Sequence, residues 1–246
     1  MNDPNNTILV AGASGVVGRR LCRLLIADGW RVTGTTRTPE KASELAALGV
    51  LPVVVDVFDA AALRQAVVDA QPTAVVHQLT DLPDGLDPAQ MAEARVRNAR
   101  IRDEGTRNLI AAAVAAGSVH RFVAQSIAFA YAPGPTPYVE ESPLNLNSPD
   151  DGAALSARAV AHLERQVRES PFVGIVLRYG KFYGPGTGFD APPPGGPVHV
   201  DAAADAARRA LTHGTPGVYN IAEEDGTISS RKATEALDWA PVFRIG

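Results

Sequence analysis

Thr7-Ile8-Leu9-Val10-Ala11-Gly12-Ala13-Ser14-Gly15-Val16-Val17-Gly18 decides the fold of this 246-residue chain. The uncharged run Thr7 to Ala11 reads as a strand buried on both faces. Glycines at 12, 15 and 18 then permit a tight turn, close approach of the backbone to a ligand, and close packing of helix on strand. Helical spacing takes over from Gly15 to Asp28, with apolar residues at Val16, Leu21, Leu24 and Leu25. Such a turn aims free N–H groups and the positive end of a helix dipole at one point, which suits a pyrophosphate. Gly12, Ser14, Gly15, Val16, Val17 and Gly18 are therefore the candidate dinucleotide-binding residues.

Working outward, the same alternation repeats. Strands are expected at Arg31 to Thr36, Val50 to Val55, Thr73 to His77, Arg121 to Ala124 and Val173 to Arg178. Helices are expected at Pro39 to Leu48, from the Asp59 cap to Ala70, and over a long stretch from Pro88 to Ala116. Continuous Val/Leu/Ile runs, rather than alternating ones, imply a parallel sheet between two helix layers. The fold class is α/β: a Rossmann-type doubly wound parallel sheet with a reduced C-terminal substrate lobe. Residues 1–183 form the expected dinucleotide-binding domain, and 184–246 a small lobe interleaved with it. That lobe holds an expected short strand (Val198 to Val200), a helix (Ala202 to His213), a strand (Val218 to Ile221) and a last helix (Ser230 to Leu237). In the long helix, Gly105 costs about 1 kcal/mol relative to Ala, so close approach to the sheet is its expected reason. Arg95, Arg97, Arg100, Arg102 and Arg107 read as a solvated face of that helix.

Composition excludes several classes. With 46% hydrophobic and 20% charged residues the chain can bury a core, so disorder is excluded. A net charge of −4 offers no footprint for nucleic acid or an anionic membrane surface. No apolar stretch is long enough to span a bilayer, and Met1 to Asn6 has neither a basic nor an apolar leader segment. The single cysteine, Cys22, falls in an apolar helical pattern, and the five histidines show no metal spacing. The expectation is a cytoplasmic protein that takes a small-molecule substrate and has no metal site.

The second strand indicates which dinucleotide. An NAD site commonly places Asp or Glu about 20 residues past the glycines, to accept from the ribose 2′-hydroxyl. Here no carboxylate lies between Asp28 and Glu40, and Arg37 stands where a cation would meet a 2′-phosphate. Thr36, Thr38, Lys41 and Arg19 add donors. NADP(H) is therefore preferred over NAD(H).

These motifs, taken with others, resemble the short-chain dehydrogenase/reductase superfamily, in its extended or atypical NAD(P)-dependent epimerase/dehydratase-like branch. The others are Asp56-Val57, Val75-Val76-His77-Gln78-Leu79, Glu104-Gly105-Thr106-Arg107-Asn108-Leu109, Arg121 to Ser126, Leu177-Arg178-Tyr179, Tyr183-Gly184-Pro185-Gly186 and Gly217-Val218-Tyr219-Asn220. The resemblance implies that Asp56 and Val57 hold the adenine edge and that His77, Gln78 and Leu79 line the cofactor channel. It also implies that Ser126 faces the nicotinamide, that Tyr179 and Lys181 border it, and that a homodimer can form through the long helix and the helix after strand five.

Departures from the family pattern bear most on function. The family's catalytic Tyr and Lys, four residues apart, would fall on Ser156 and Val160 when the helix is anchored on Glu164. An alternative register on Arg158 puts Ala154 in the Tyr position, and neither restores the pair. Ser126 is followed by Ile127, so the serine pair is incomplete; depending on register, Ser126 is the hydrogen-bonding serine or its neighbour. Ser126, Tyr131 and Lys181 remain the candidate catalytic residues. Glu140-Glu141 and Glu223-Glu224 read as solvated loop charges. Two functions follow. One is an NADP(H)-linked oxidoreductase or epimerase/dehydratase-like enzyme on a small carbonyl or hydroxyl substrate. The other is a non-catalytic NADP(H)-binding sensor or regulatory protein.

Overall fold

A computed structural model describes residues 6–245. The opening strand β1 (Thr7–Ala11) leads through the glycine turn into α1 (Val16–Ala27). Then follow β2 (Arg31–Thr36), α2 (Pro39–Ala47), β3 (Leu51–Val54), α3 (Ala60–Ala70) and β4 (Ala74–His77). Asp59 caps α3 by accepting from Ala62 N, and Thr38 caps α2 by accepting from Lys41 N. The long helix is α4 (Met91–Arg100), one π-helical turn (Ile101–Gly105) and α5 (Thr106–Ala116). After it come β5 (Arg121–Ile127), α6 (Asp151–Glu169) and β6 (Val173–Tyr179). The chain closes with β7 (Lys181–Tyr183), β8 (Pro197–His199), α7 (Val200–Arg209), β9 (Gly217–Ile221) and α8 (Arg231–Leu237).

Seven strands form one parallel sheet in the order β3-β2-β1-β4-β5-β6-β9. The order reverses direction between β1 and β4, which opens a crevice at their carboxyl ends. Alternate residues of β1 feed two cores. Ile8 and Val10 pack with Val17, Leu21 and Leu25 of α1 and the alanine face of α7. Leu9 and Ala11 pack with Leu63, Val67, Leu109 and Leu163 on the other side. This is why the strand is apolar throughout. β7 and β8 pair in a second, two-stranded parallel sheet. Among the described residues, no helix is long and apolar enough to cross a membrane.

Several local expectations change. β5 and β6 run three and one residues further than expected, to Ile127 and Tyr179, so their polar ends belong to the sheet. A Cβ on Gly105 would lie 3.3 Å from Val57 Cγ1, so the close approach is to the loop after β3. Arg102 does not share the solvated face of its neighbours: burial pushes its guanidinium down to about 10, against the attraction of Glu164. Arg102 lies within the π turn. α7 starts at Val200, because His199 Nδ1 accepts from Asp201 N and caps it.

Candidate active site

The glycine turn forms a cradle at the crevice. Gly12 has φ +83°, and a Cβ there would meet Gln78 O at 2.7 Å. A Cβ on Gly18 would meet Ala13 O at 2.8 Å, so α1 lies against the turn. Gly15 starts α1 with no side-chain cap and no acidic residue in the first turn, which leaves the helix end free to receive an anion.

Beside the cradle lies a polar corner formed by α1, β2 and the loop after β2. Ser14 Oγ and Thr36 Oγ1 are 3.2 Å apart, and Arg19 Nε donates to Ser14 O at 3.1 Å. Arg19 also pairs with Glu44. Arg37 reaches across the crevice and gives both terminal nitrogens to Asp81, at 3.1 and 3.3 Å. Its guanidinium holds the Asp81 carboxyl below the usual carboxylate range, with Arg97 adding to the effect. Asp56 Oδ1 accepts from Phe58 N at 2.9 Å, while Val57 is buried.

Deeper in, His77 is fully buried. Its Nδ1 accepts from Leu79 N at 3.2 Å, which leaves Nε2 as the protonated nitrogen facing Thr106 Oγ1 at 3.1 Å. Burial, then the nearby Arg102 charge, push His77 down to about 4, so it is neutral at pH 7. Gln78 Nε2 donates to Tyr179 Oη at 3.2 Å. Gln78 Oε1 is, among the described residues, a buried polar atom with no partner. An unpartnered acceptor deep in a crevice beside a glycine cradle fits a bound polar ligand. Burial raises the Tyr179 phenol well above its ordinary range.

At the end of β5 the structure brings two of the three predicted catalytic residues into one network. Ser126 Oγ donates to Glu164 Oε1 at 2.9 Å. Arg178 clamps the same carboxylate through Nε at 2.8 Å and Nη2 at 2.7 Å. Arg178 Nη1 donates to Tyr131 Oη at 2.8 Å, and Tyr131 donates in turn to Asn220 Oδ1 at 2.6 Å. Burial raises the Tyr131 phenol and outweighs the opposing pull of Arg178. Lys181 stands apart, with Nζ donating to Pro194 O at 2.8 Å. Sequence reading missed Glu164, Arg178, Asn220 and Glu140 as members of this network. Glu140 is no free loop charge, since its Oε1 accepts from Asn220 N at 2.7 Å. Glu223 likewise accepts from Tyr183 Oη at 2.6 Å.

In the register anchored on Glu164, the positions that the resemblance assigns to a Tyr–Lys pair are Ser156 and Val160 of α6. Val160 and Ala157 form a buried apolar cluster with Ile127 and Ala130. Ser156 Oγ turns back onto Gly152 O at 2.8 Å.

A parallel sheet with a glycine cradle at its switch point defines a Rossmann-type dinucleotide-binding protein. The NAD dependent epimerase/dehydratase family model matches residues 8–193. A 3-diazoavenalumate denitrifying reductase from a Streptomyces species is 42% identical over 256 residues, covering 96% of this chain and 80% of that protein. UDP-glucose 4-epimerase of Thermotoga maritima with UDP-glucose superposes with a TM-score of 0.76 at 18% identity, covering 97% of this chain and 94% of that one. The dTDP-glucose 4,6-dehydratase of Bacillus anthracis with NAD gives 0.73 at 15% identity, covering 96% and 92%. At such identities these structures establish the fold alone. The chain belongs to the NAD dependent epimerase/dehydratase family, and its glycine cradle fits a nicotinamide dinucleotide.

Proposed function

We propose that this protein is an NADP(H)-dependent reductase whose acceptor needs no proton from the protein. The observation that carries this reading is the apolar cluster of Ile127, Ala157 and Val160 where a proton relay would otherwise stand. A carbonyl reductase must deliver hydride to carbon and a proton to oxygen. Ser126 and Tyr131 are both held in a buried ion network, which makes them poor proton donors.

The relative's name specifies a diazo-bearing carboxylate that loses nitrogen. The nicotinamide supplies a hydride when bound, and in its diazonium form such a group takes one up with the balance R–N2+ plus H− gives R–H plus N2, needing no further proton. In this reading Gly12, Gly15 and Gly18 seat the pyrophosphate, and Arg37 with Ser14 and Thr36 meets the 2′-phosphate. Asp56 and Val57 border the adenine. Gln78 and Tyr179 orient the cofactor in its channel, and the apolar cluster keeps water from the reacting face. Leu82, Phe129 and Phe189 are 45%, 52% and 43% exposed on the loops after β4, β5 and β7, which suits a substrate with an apolar body.

The test is reduced-nicotinamide oxidation against a panel of aryl diazonium carboxylates, aldehydes, ketones and nucleotide sugars. Consumption with release of dinitrogen from the diazonium compounds supports the proposal, and turnover of a carbonyl or sugar overturns it. The locked state of Tyr131 also favours a sensor role, and tight NADPH binding with no turnover across the panel would establish that reading instead.

A further inference from the structure

We infer that Asp81 determines cofactor choice by occupying Arg37, so that NADPH binds only by exchanging a carboxylate for a phosphate on that guanidinium. This rests on the NADP(H) reading of the site. Arg37 and Asp81 are 44 residues apart, one just past β2 and the other past β4, and their bridge spans the crevice. Both terminal nitrogens of Arg37 are engaged, so the fork that a phosphate would use is already filled. The side chain of Arg37 is 56% exposed, so an incoming anion can reach it.

Two further contacts make the exchange feasible. Asp81 is fixed by its backbone: Asn98 Oδ1 accepts from Asp81 N at 3.1 Å, and Asn98 Nδ2 donates to Asp81 O at 3.0 Å. Arg37 is therefore the partner that moves. Arg97 Nε lies 3.3 Å from Asp81 Oδ2, so the carboxylate keeps a counter-charge after Arg37 leaves. NADH brings only a hydroxyl, which cannot displace a carboxylate from a guanidinium, so its affinity is independent of Asp81.

The geometry assigns opposite signs to two substitutions. Asp81→Asn releases Arg37, and NADPH should bind about threefold to fivefold more tightly, the scale of an exposed ion pair. Arg97→Gln leaves Asp81 with Arg37 as its remaining cation, and NADPH should bind a few-fold more weakly. Asp81→Glu should stay near the unsubstituted protein. NADH affinity should stay within about twofold throughout, whereas a merely structural role would move both cofactors together. Calorimetric titration of NADPH and NADH into the full chain reads all of these without catalysis. The ratio in the unsubstituted protein tests the cofactor reading, and the change of ratio on substitution tests this inference. No preference in the parent with a gain in Asp81→Asn would sink the first and keep the second. Unchanged or weaker NADPH binding in Asp81→Asn overturns the inference, as does tighter NADPH binding in Arg97→Gln.

Discussion

Val160 of α6 and Ile127 of β5 share one buried apolar cluster at the carboxyl end of the sheet. Val160 is the position to which the family resemblance, anchored on Glu164, assigns a lysine, and the cluster around it is apolar. A lysine at 160 would have to leave water without a counter-charge in that cluster, and a buried ammonium is strongly disfavoured.

Val160→Lys is therefore expected to destabilise the fold by about 3 kcal/mol or more, read by urea unfolding. Ser156→Ala removes one local bond to Gly152 O and should change stability by about 0.5 kcal/mol or less. A stable Val160→Lys protein would mean the cluster is open to water.

Gly15→Val should abolish dinucleotide binding while the protein stays folded. Gly15 has φ −72°, an ordinary backbone conformation for any residue, and a Cβ there meets little beyond Gly12 O at 3.3 Å. The added side chain would project from the exposed start of α1 into the space a pyrophosphate must enter. An unchanged unfolding curve with no cofactor titration is the expected pair of results; surviving affinity would move the site elsewhere.

Arg37→Ala should weaken NADPH binding by about fivefold to tenfold and leave NADH unaffected. The loss of a charge-assisted contact sets the upper end. The prior engagement with Asp81 lowers it, because the parent must break that bridge first. Equal effects on both cofactors would remove Arg37 from the 2′-phosphate corner.

Much of this frame is visible in sequence because it rests on local periodicity. The apolar run Thr7 to Ala11 and the glycines after it need no distant partner to be understood. Arg178 and Glu164 are different. Each interrupts an apolar pattern, and only the fold shows that they satisfy one another, at 2.7 Å. For the same reason the sequence pattern ends β5 at Ala124, before Gln125 and Ser126, where the strand runs on to Ile127. The Arg37–Asp81 bridge joins two loops that no spacing rule connects. The π turn hides because one added residue barely disturbs a helical pattern, so Arg102 reads like the solvated arginines around it.

Tyr131→Phe tests whether that network is structural. The phenol bridges Arg178 and Asn220 in a buried site, so its removal leaves Asn220 Oδ1 without its donor, while Arg178 keeps Glu164 and Glu140 O. A destabilisation of about 1–3 kcal/mol is expected in chemical denaturation. Hydride transfer to a diazonium acceptor should persist in protein that remains folded. Complete loss of turnover at full stability would instead make Tyr131 a catalytic residue.

The last prediction concerns acid. His77 is buried and neutral, with its folded pKa pushed down from 6.5 to about 4. The unfolded chain takes up a proton on this imidazole near pH 6.5, whereas the folded protein does so only near 4. Between those values the unfolded state binds more protons, so stability falls as pH falls. The contribution is complete above the unfolded pKa and is lost as pH drops through the folded one. At 1.36 kcal/mol per pKa unit the whole span is worth about 3 kcal/mol. Burial keeps the imidazole neutral, the charge of Arg102 adds to the effect, and Nδ1 must stay unprotonated to accept from Leu79 N. Urea unfolding from pH 7.5 to 4.5 should therefore show a falling free energy, and His77→Asn should flatten that slope even if it lowers stability at neutral pH. A slope unchanged by the substitution would assign the acid sensitivity to other groups and leave His77 protonatable in the folded state.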